Sequence, residues 1–229
     1  MAELGIVKTG TPGLDEVFGI KGFKEKSSIL VTGEPGAGKS ILAMQFIYNG
    51  ARLYGETGVF VTSEQSVEKV REVGRTLGMN FEPLEKKGLV RLMMVPVARG
   101  YEMAPEELMR EVKKTEVKRV AIDSVSPFRY LSSDVKDFRI KVMNFIELLT
   151  KHDVTLLVTA EKMKTDFDSV EFAPIDFLFD GLILMGRLRK AVSFERVLTA
   201  IKMRGTSHSE ELHPVRISDK GMVVETLKE

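Results

Sequence analysis

The 229-residue chain carries 34 Lys and Arg against 33 Asp and Glu, for a formal net charge of +1. That balance excludes a global pull toward nucleic acid or anionic lipid and leaves only local patches to provide one. Cysteine is absent and His occurs three times, so disulfides and thiolate metal sites are excluded and a histidine-rich metal centre is disfavoured.

Hydrophobic residues make up 43% and charged residues 29%, enough apolar surface to bury a sizeable core. No run of about 18 apolar residues occurs. Residues 1–5 lack the charged-then-apolar pattern of a secretory leader. A cytoplasmic protein with no membrane partner is the expectation.

Ser28 to Thr32 is a short apolar, β-branched run that predicts a buried strand, and Ser40 to Tyr54 follows with a helical pattern. Gly58 to Thr62 predicts a second strand, and Ser66 to Leu77 a charged amphipathic helix closed by Gly78. Leu89 to Val95 reads as a strand and Ala104 to Thr115 as a helix with Pro105 in its first turn. Arg119 to Asp123 is a strand ending on an acid. Asp134 opens a long helix whose Phe138, Val142, Phe145 and Leu149 recur on one face. Val154 to Thr159 completes this alternating set.

Helices alternating with apolar strands imply βαβ units and a mainly parallel sheet covered on both faces. The tail differs: Gly181 to Met185, Arg196 to Lys202, Val215 to Ser218 and Met222 to Leu227 read as strands joined by tight turns. They are expected to extend the sheet as antiparallel hairpins. With no low-complexity linker and no second copy of the loop described next, one α/β domain over residues 1–229 is expected.

Gly33, Glu34, Pro35, Gly36, Ala37, Gly38, Lys39 and Ser40 fit the pattern GxxxxGK[ST] between a predicted strand and a predicted helix. The glycines let backbone N–H groups turn inward around phosphate oxygens, and the helix N-terminus adds a favourable dipole. Lys39 would reach the β- and γ-phosphates and the Ser40 hydroxyl would ligate Mg²⁺, with Ile41 ending the nucleotide-binding run. A strand-to-helix turn that binds nothing would not need the full pattern with both flanks.

Asp123, at the C-terminal end of an apolar strand, is the candidate second acid for the magnesium shell. Glu64, just past the Gly58–Thr62 strand, is the candidate base for an attacking water, against the plainer reading of an acid near a helix start. Gln65 beside it can hydrogen-bond water or phosphate.

Thr11 to Asp15, Gly58 to Glu64, Ile122 to Val125 and Lys202 to His208 (Lys-Met-Arg-Gly-Thr-Ser-His) occur in this order in KaiC-like ATPases, which the chain resembles over nearly its whole length. The resemblance implies a RecA/RadA-type P-loop fold, ATP or ADP with Mg²⁺, and a homo-oligomeric ring, commonly a hexamer, with nucleotide between subunits. It implies that Lys202 and Arg204 point at a neighbour's γ-phosphate; His208 reads as stabilising its turn rather than touching nucleotide. Three features depart from the family: Gln65 where a second Glu often stands, Gly19-Ile-Lys-Gly22 where a glycine run is common, and one ATPase unit where KaiC has two. A circadian role is therefore not implied, and slow turnover is compatible.

Arg187 to Lys190 reads as a basic turn between strands, able to contact nucleic-acid phosphates or to be a solvated hairpin tip. No aromatics interleave with it as a stacking platform would require. Residues 161–180 mix Lys162 and Lys164 with Glu161, Asp166, Asp168 and Glu171, and Phe167, Phe172, Phe177 and Phe179 are expected to pack on the sheet or on a neighbour. The leading expectation is an oligomeric regulatory ATPase. A DNA-handling recombination ATPase and a nucleotide-gated scaffold are the alternatives.

Overall fold

The computed structural model describes residues 5–95, 106–114 and 116–226. A small antiparallel pair, β1 (Ile6–Val7) and β2 (Phe23–Lys24), precedes the main body. There follow β3 (Ser28–Gly33), α1 (Lys39–Tyr54), β4 (Gly58–Thr62), α2 (Val67–Thr76), α3 (Glu82–Lys86), β5 (Val90–Met94) and α4 (Glu106–Lys114). Next come β6 (Arg119–Asp123), α5 (Ser126–Tyr130), α6 (Val135–Thr150) and β7 (Thr155–Glu161). The chain then runs through β8 (Gly181–Lys190), β9 (Ser193–Met203), β10 (His213–Ser218) and β11 (Gly221–Val224).

Nine strands form one sheet in the order β11-β10-β9-β8-β3-β7-β6-β4-β5. From β8 to β5 all neighbours are parallel, and from β8 to β11 all are antiparallel. The α/β class and its antiparallel C-terminal extension thus match the sequence reading. Buried strands with apolar residues on both faces force this layering, because each face must be covered. Ile29 and Val31 of β3 pack with α1 residues such as Phe46 and Ile47, whereas Leu30 packs with Phe138, Val142, Phe145 and Leu149 of α6. The predicted apolar stripe of α6 is the buried one, and Asp134 caps it, its Oδ1 accepting from Asp137 N at 2.8 Å.

Most boundaries agree within two residues, and residues 104, 105, 115 and 227 of the predicted elements lie outside the described residues. The short elements β1, β2, α3 and α5 carry no periodicity to read, and only tertiary contact defines them. One expectation is corrected: Arg187 to Lys190 is not a turn but the last stretch of β8, paired with Arg196 to Ser193 of β9, and the reversal falls at Ala191 and Val192. Pairing across the sheet lets β8 outrun its apolar core segment. The final strand also ends sooner than expected, at Val224. Among the described residues no helix is long and apolar enough to cross a membrane.

Phe179 is fully buried, while Phe172 and Phe177 stay half exposed with ring centroids 5.8 Å apart. Arg119 opens β6 with no exposed surface, its Nε donating to Glu56 Oε2 at 2.5 Å and its Nη1 to the Phe46 carbonyl at 3.1 Å. The guanidinium lies 4.7 Å from the Phe46 ring centroid and 5.5 Å from that of Tyr54. Gly50 of α1 makes room for it, since any side chain there would collide with the arginine. Removing the acid strands a buried cation, whereas replacing the arginine by an apolar chain of similar length does not. Glu56→Ala should therefore cost about 3 kcal/mol in urea unfolding, and more than Arg119→Met; the reverse ranking would refute this account of the pair.

Candidate functional site

β3 lies between β8 and β7, and the β3–α1 turn follows its C-terminal end. Gly33 faces Glu161 of β7 on one side and Met185 of β8 on the other. A Cβ at Gly33 would run into the Met185 carbonyl, so close strand approach requires glycine there. Gly36 and Gly38 adopt φ of 78° and 110°, the left-handed region that turns the loop's amides inward. The first residue position of α1 has Gly38 before it and no side-chain cap. In α2 and α6 the caps are Ser66 and Asp134. The leading amides of α1 are thus left for an anion.

Lys39 is buried, and its Nζ donates to the Gly33 and Glu34 carbonyls at 2.9 and 3.0 Å. Burial pushes its pKa down, opposed by the carboxylates of Glu161, Asp123, Glu34 and Glu64. Glu34 belongs to the loop itself, whereas Glu161, Asp123 and Glu64 arrive on the ends of β7, β6 and β4. β4 pairs with β6 so that Thr62 lies opposite Asp123, which brings the segment after Thr62 beside the Asp123 carboxylate. Thr62 Oγ1 accepts from Gln65 N at 3.0 Å and fixes the bend that carries Glu64. Asp123 Oδ1 in turn accepts from the Thr159 hydroxyl of β7 at 2.6 Å. Burial raises the Glu64 pKa, and the charges of Glu161 and Asp123 raise it further against the opposing pull of Lys39.

These groups enclose a polar hollow of about 550 Å³. Lys39, Ser40, Ile41, Glu64, Gln65 and Asp123 line it, together with Pro35, Gly36 and Gly38 of the loop. Gly33 and Ala37 lie beneath the loop as buried supports. Glu34 sits at its rim, 3.3 Å from Arg187 Nε. A second, more apolar hollow of about 650 Å³ shares Pro35 and Glu161 but holds none of Lys39, Ser40, Glu64 and Asp123. Phosphate chemistry needs the polar one.

Five further residues of the polar hollow were not named as site residues from the sequence: Ser124, Thr159, Glu161, Arg196 and Ile217. Glu161 was legible in principle, being an acid just beyond a buried strand, as Asp123 is. Arg196 and Ile217 were not, because they arrive on the antiparallel strands β9 and β10; Arg196 Nε donates to the Gly36 carbonyl at 3.0 Å.

Lys202 and Arg204 do not line this hollow. Lys202 pairs with Leu182 of β8, which is level with Leu30 of β3, so the β9 end that bears it lies about 10 Å back along the strands from Gly33. Arg204 continues in the same direction, its backbone N donating to the Asp180 carbonyl at 2.9 Å. His208 stabilises the turn after them, as expected, with Nδ1 3.1 Å from the Ser209 carbonyl and a bridge between His208 and Phe18.

Gly38 supplies a direct check on the loop. A Cβ at its φ of 110° would stand 2.8 Å from Met222 Cε, so Gly38→Ala should lower the urea unfolding stability by about 1–2 kcal/mol from backbone strain. An unchanged midpoint would mean that the loop relaxes without cost.

The family model described as "ATPase: KaiC" matches residues 7–229. A UPF0273 protein of Thermotoga maritima is 32% identical over 234 residues, covering 95% of each chain. One from Methanopyrus kandleri is 34% identical over 241 residues, covering 97% of this chain and 92% of its own. The circadian clock oscillator protein KaiC of a Nostoc species is 26% identical over 225 residues, which are 94% of this chain but 43% of KaiC. Among solved structures, the KaiC-like protein PH0186 of Pyrococcus horikoshii superposes with a TM-score of 0.85 at 31% identity, covering 98% of this chain and 100% of that one. The loop at the strand edge, the RecA-like sheet and these likenesses agree, and the chain belongs to the KaiC family of nucleotide-binding ATPases.

Proposed function

We propose that the protein hydrolyses ATP with Mg²⁺ as one unit of a homo-oligomeric ring, with nucleotide held between neighbouring copies and turnover regulating what the ring binds. The observation that carries this reading is the division of the polar and charged groups. Lys39, Ser40, Glu64 and Asp123 share one hollow, while Lys202 and Arg204 lie outside it.

The donor set fits both ligands. Inward-turned amides and a buried ammonium suit a triphosphate, and the Ser40 hydroxyl with the Asp123 carboxylate offers the hard oxygens that Mg²⁺ takes. When bound, the magnesium ion offsets charge on the phosphate oxygens. Lys39 exchanges its two carbonyl partners for phosphate oxygens, gaining anionic acceptors for its buried charge. Glu64, its proton affinity raised by burial and by Glu161 and Asp123, accepts the proton of the attacking water. Gln65 orients that water. The water oxygen bonds to the γ-phosphorus as the bond to the β–γ bridging oxygen breaks, releasing ADP and inorganic phosphate. Lys202 and Arg204 of the next copy offset the charge that develops during transfer.

A nucleic-acid role draws less support, since Arg187 and Lys190 already pair with Glu34 and Glu195.

Steady-state hydrolysis measured at several protein concentrations, with and without single-stranded DNA, tests this reading. The rate per subunit should climb with concentration and be indifferent to DNA. Glu64→Gln should lower kcat at least about 100-fold while leaving nucleotide binding intact, and Lys39→Ala should abolish tight binding. Arg204→Ala should lower kcat roughly 1000-fold, the scale of a cation supplied in trans. Tight binding with no turnover above the Glu64→Gln background would leave a nucleotide-gated scaffold, and DNA stimulation would favour a recombination ATPase.

A further inference from the structure

Arg204 does not hang free at the end of β9. Its Nη1 lies 3.4 Å from Asp180 Oδ1, and its Nη2 donates to the Phe177 carbonyl at 3.0 Å. Asp180 is bound still more firmly on its other side. Its Oδ2 accepts from Ser28 N at 2.9 Å and from the Ser28 hydroxyl at 3.0 Å, and its own N donates to the Ser28 carbonyl at 2.9 Å. Ser28 is buried and is the first residue of β3, the strand whose last residue is Gly33 of the phosphate loop. One carboxylate therefore holds an exposed arginine with one oxygen and the base of the phosphate-loop strand with the other.

A carboxylate committed in this way does two things to the arginine. It restricts a long side chain that would otherwise sample many rotamers, which lowers the entropy lost when the cation meets an anion. It also supplies a counter-charge beside a pair of cations: burial, and after it the charge of Arg204, hold the Lys202 ammonium below its ordinary pKa, and Asp176 and Asp180 oppose them. The contact at 3.4 Å, with both partners partly exposed, is loose enough for the guanidinium to keep hydrogens available for another acceptor. The Ser28 bonds, shorter and paired with a buried partner, do not share that freedom.

We infer that Asp180 is a positioning residue for hydrolysis on the neighbouring copy, aiming Arg204 while anchored through Ser28 to the phosphate-loop strand of its own subunit. This inference rests on the proposal that Arg204 acts in trans. It adds that each copy's outgoing cation is braced on the strand that carries its own nucleotide loop, so the two sites flanking a subunit meet in β3.

The test is a double-mutant cycle on the full chain, reading kcat, KM, binding of a non-hydrolysable ATP analogue and thermal midpoint. Asp180→Asn keeps an acceptor for the Ser28 amide and removes the charge that faces Arg204. It should lower kcat roughly ten-fold, a loss of the size that misorientation produces, with KM, analogue binding and assembly unchanged. In an Arg204→Ala background it should cause no further fall, because a residue acting through another has nothing left to act on. Ser28→Ala, which keeps the amide bond and deletes the hydroxyl, should give a smaller loss of the same non-additive kind. A full rate for Asp180→Asn beside a defective Arg204→Ala would overturn the inference and leave the in-trans cation standing. So would an equal fold loss in both backgrounds, which is the mark of a merely structural residue. A normal rate for Arg204→Ala would instead sink the in-trans proposal and this inference with it.

Discussion

β3 lies between β7 and β8, and its register sets Gly33 level with Glu161 on one side and Met185 on the other. Because side chains alternate along a strand, a slip of one residue would exchange the Ile29 and Val31 face for the Leu30 face and empty both halves of the core. The burial that prevents such a slip also fixes the height of the glycine turn above the sheet edge. The acids inherit that height through β7, β6 and β4 in turn, so the position of a carboxylate in the hollow is set by apolar side chains well below it.

The hollow concentrates charge in a way that only burial makes consequential. A Lys39 ammonium taken out of water is held by two carbonyls and by the summed field of nearby acids, and it gains by meeting an anion. Partial desolvation, with the charges of Glu161 and Asp123, raises the proton affinity of Glu64. The lysine thus favours an anion and the glutamate a proton, each set by its own neighbours in the hollow.

At the opposite end of the strands the arrangement is sparser. Lys202 and Arg204 have Asp176, Asp180 and the Phe177 carbonyl as their neighbours. In the proposed ring, these two halves of one charge distribution, separated along the strands, would meet when copies stack head to tail. Such a heterologous contact closes into a ring when its rotation permits.

Much of this was legible in the chain itself, because it rests on local patterns. Gly33 to Ser40 spell a phosphate loop through backbone freedom and a lysine at fixed spacing, and the strands 28–32, 58–62 and 119–123 stand out as apolar β-branched runs. The placement of Glu64 and Asp123 in one hollow followed from each being an acid at the end of a parallel strand. What the sequence could not determine depends on pairing between distant residues. Arg187 to Lys190 became strand because β9 lies beside them, Arg196 and Ile217 reached the loop because antiparallel strands fold back across it, and Asp180, the partner of Arg204, reached Ser28 across a separation of 152 residues. Local propensity carries no term for a neighbour that arrives only after the sheet has closed, so those contacts were decided by tertiary structure alone.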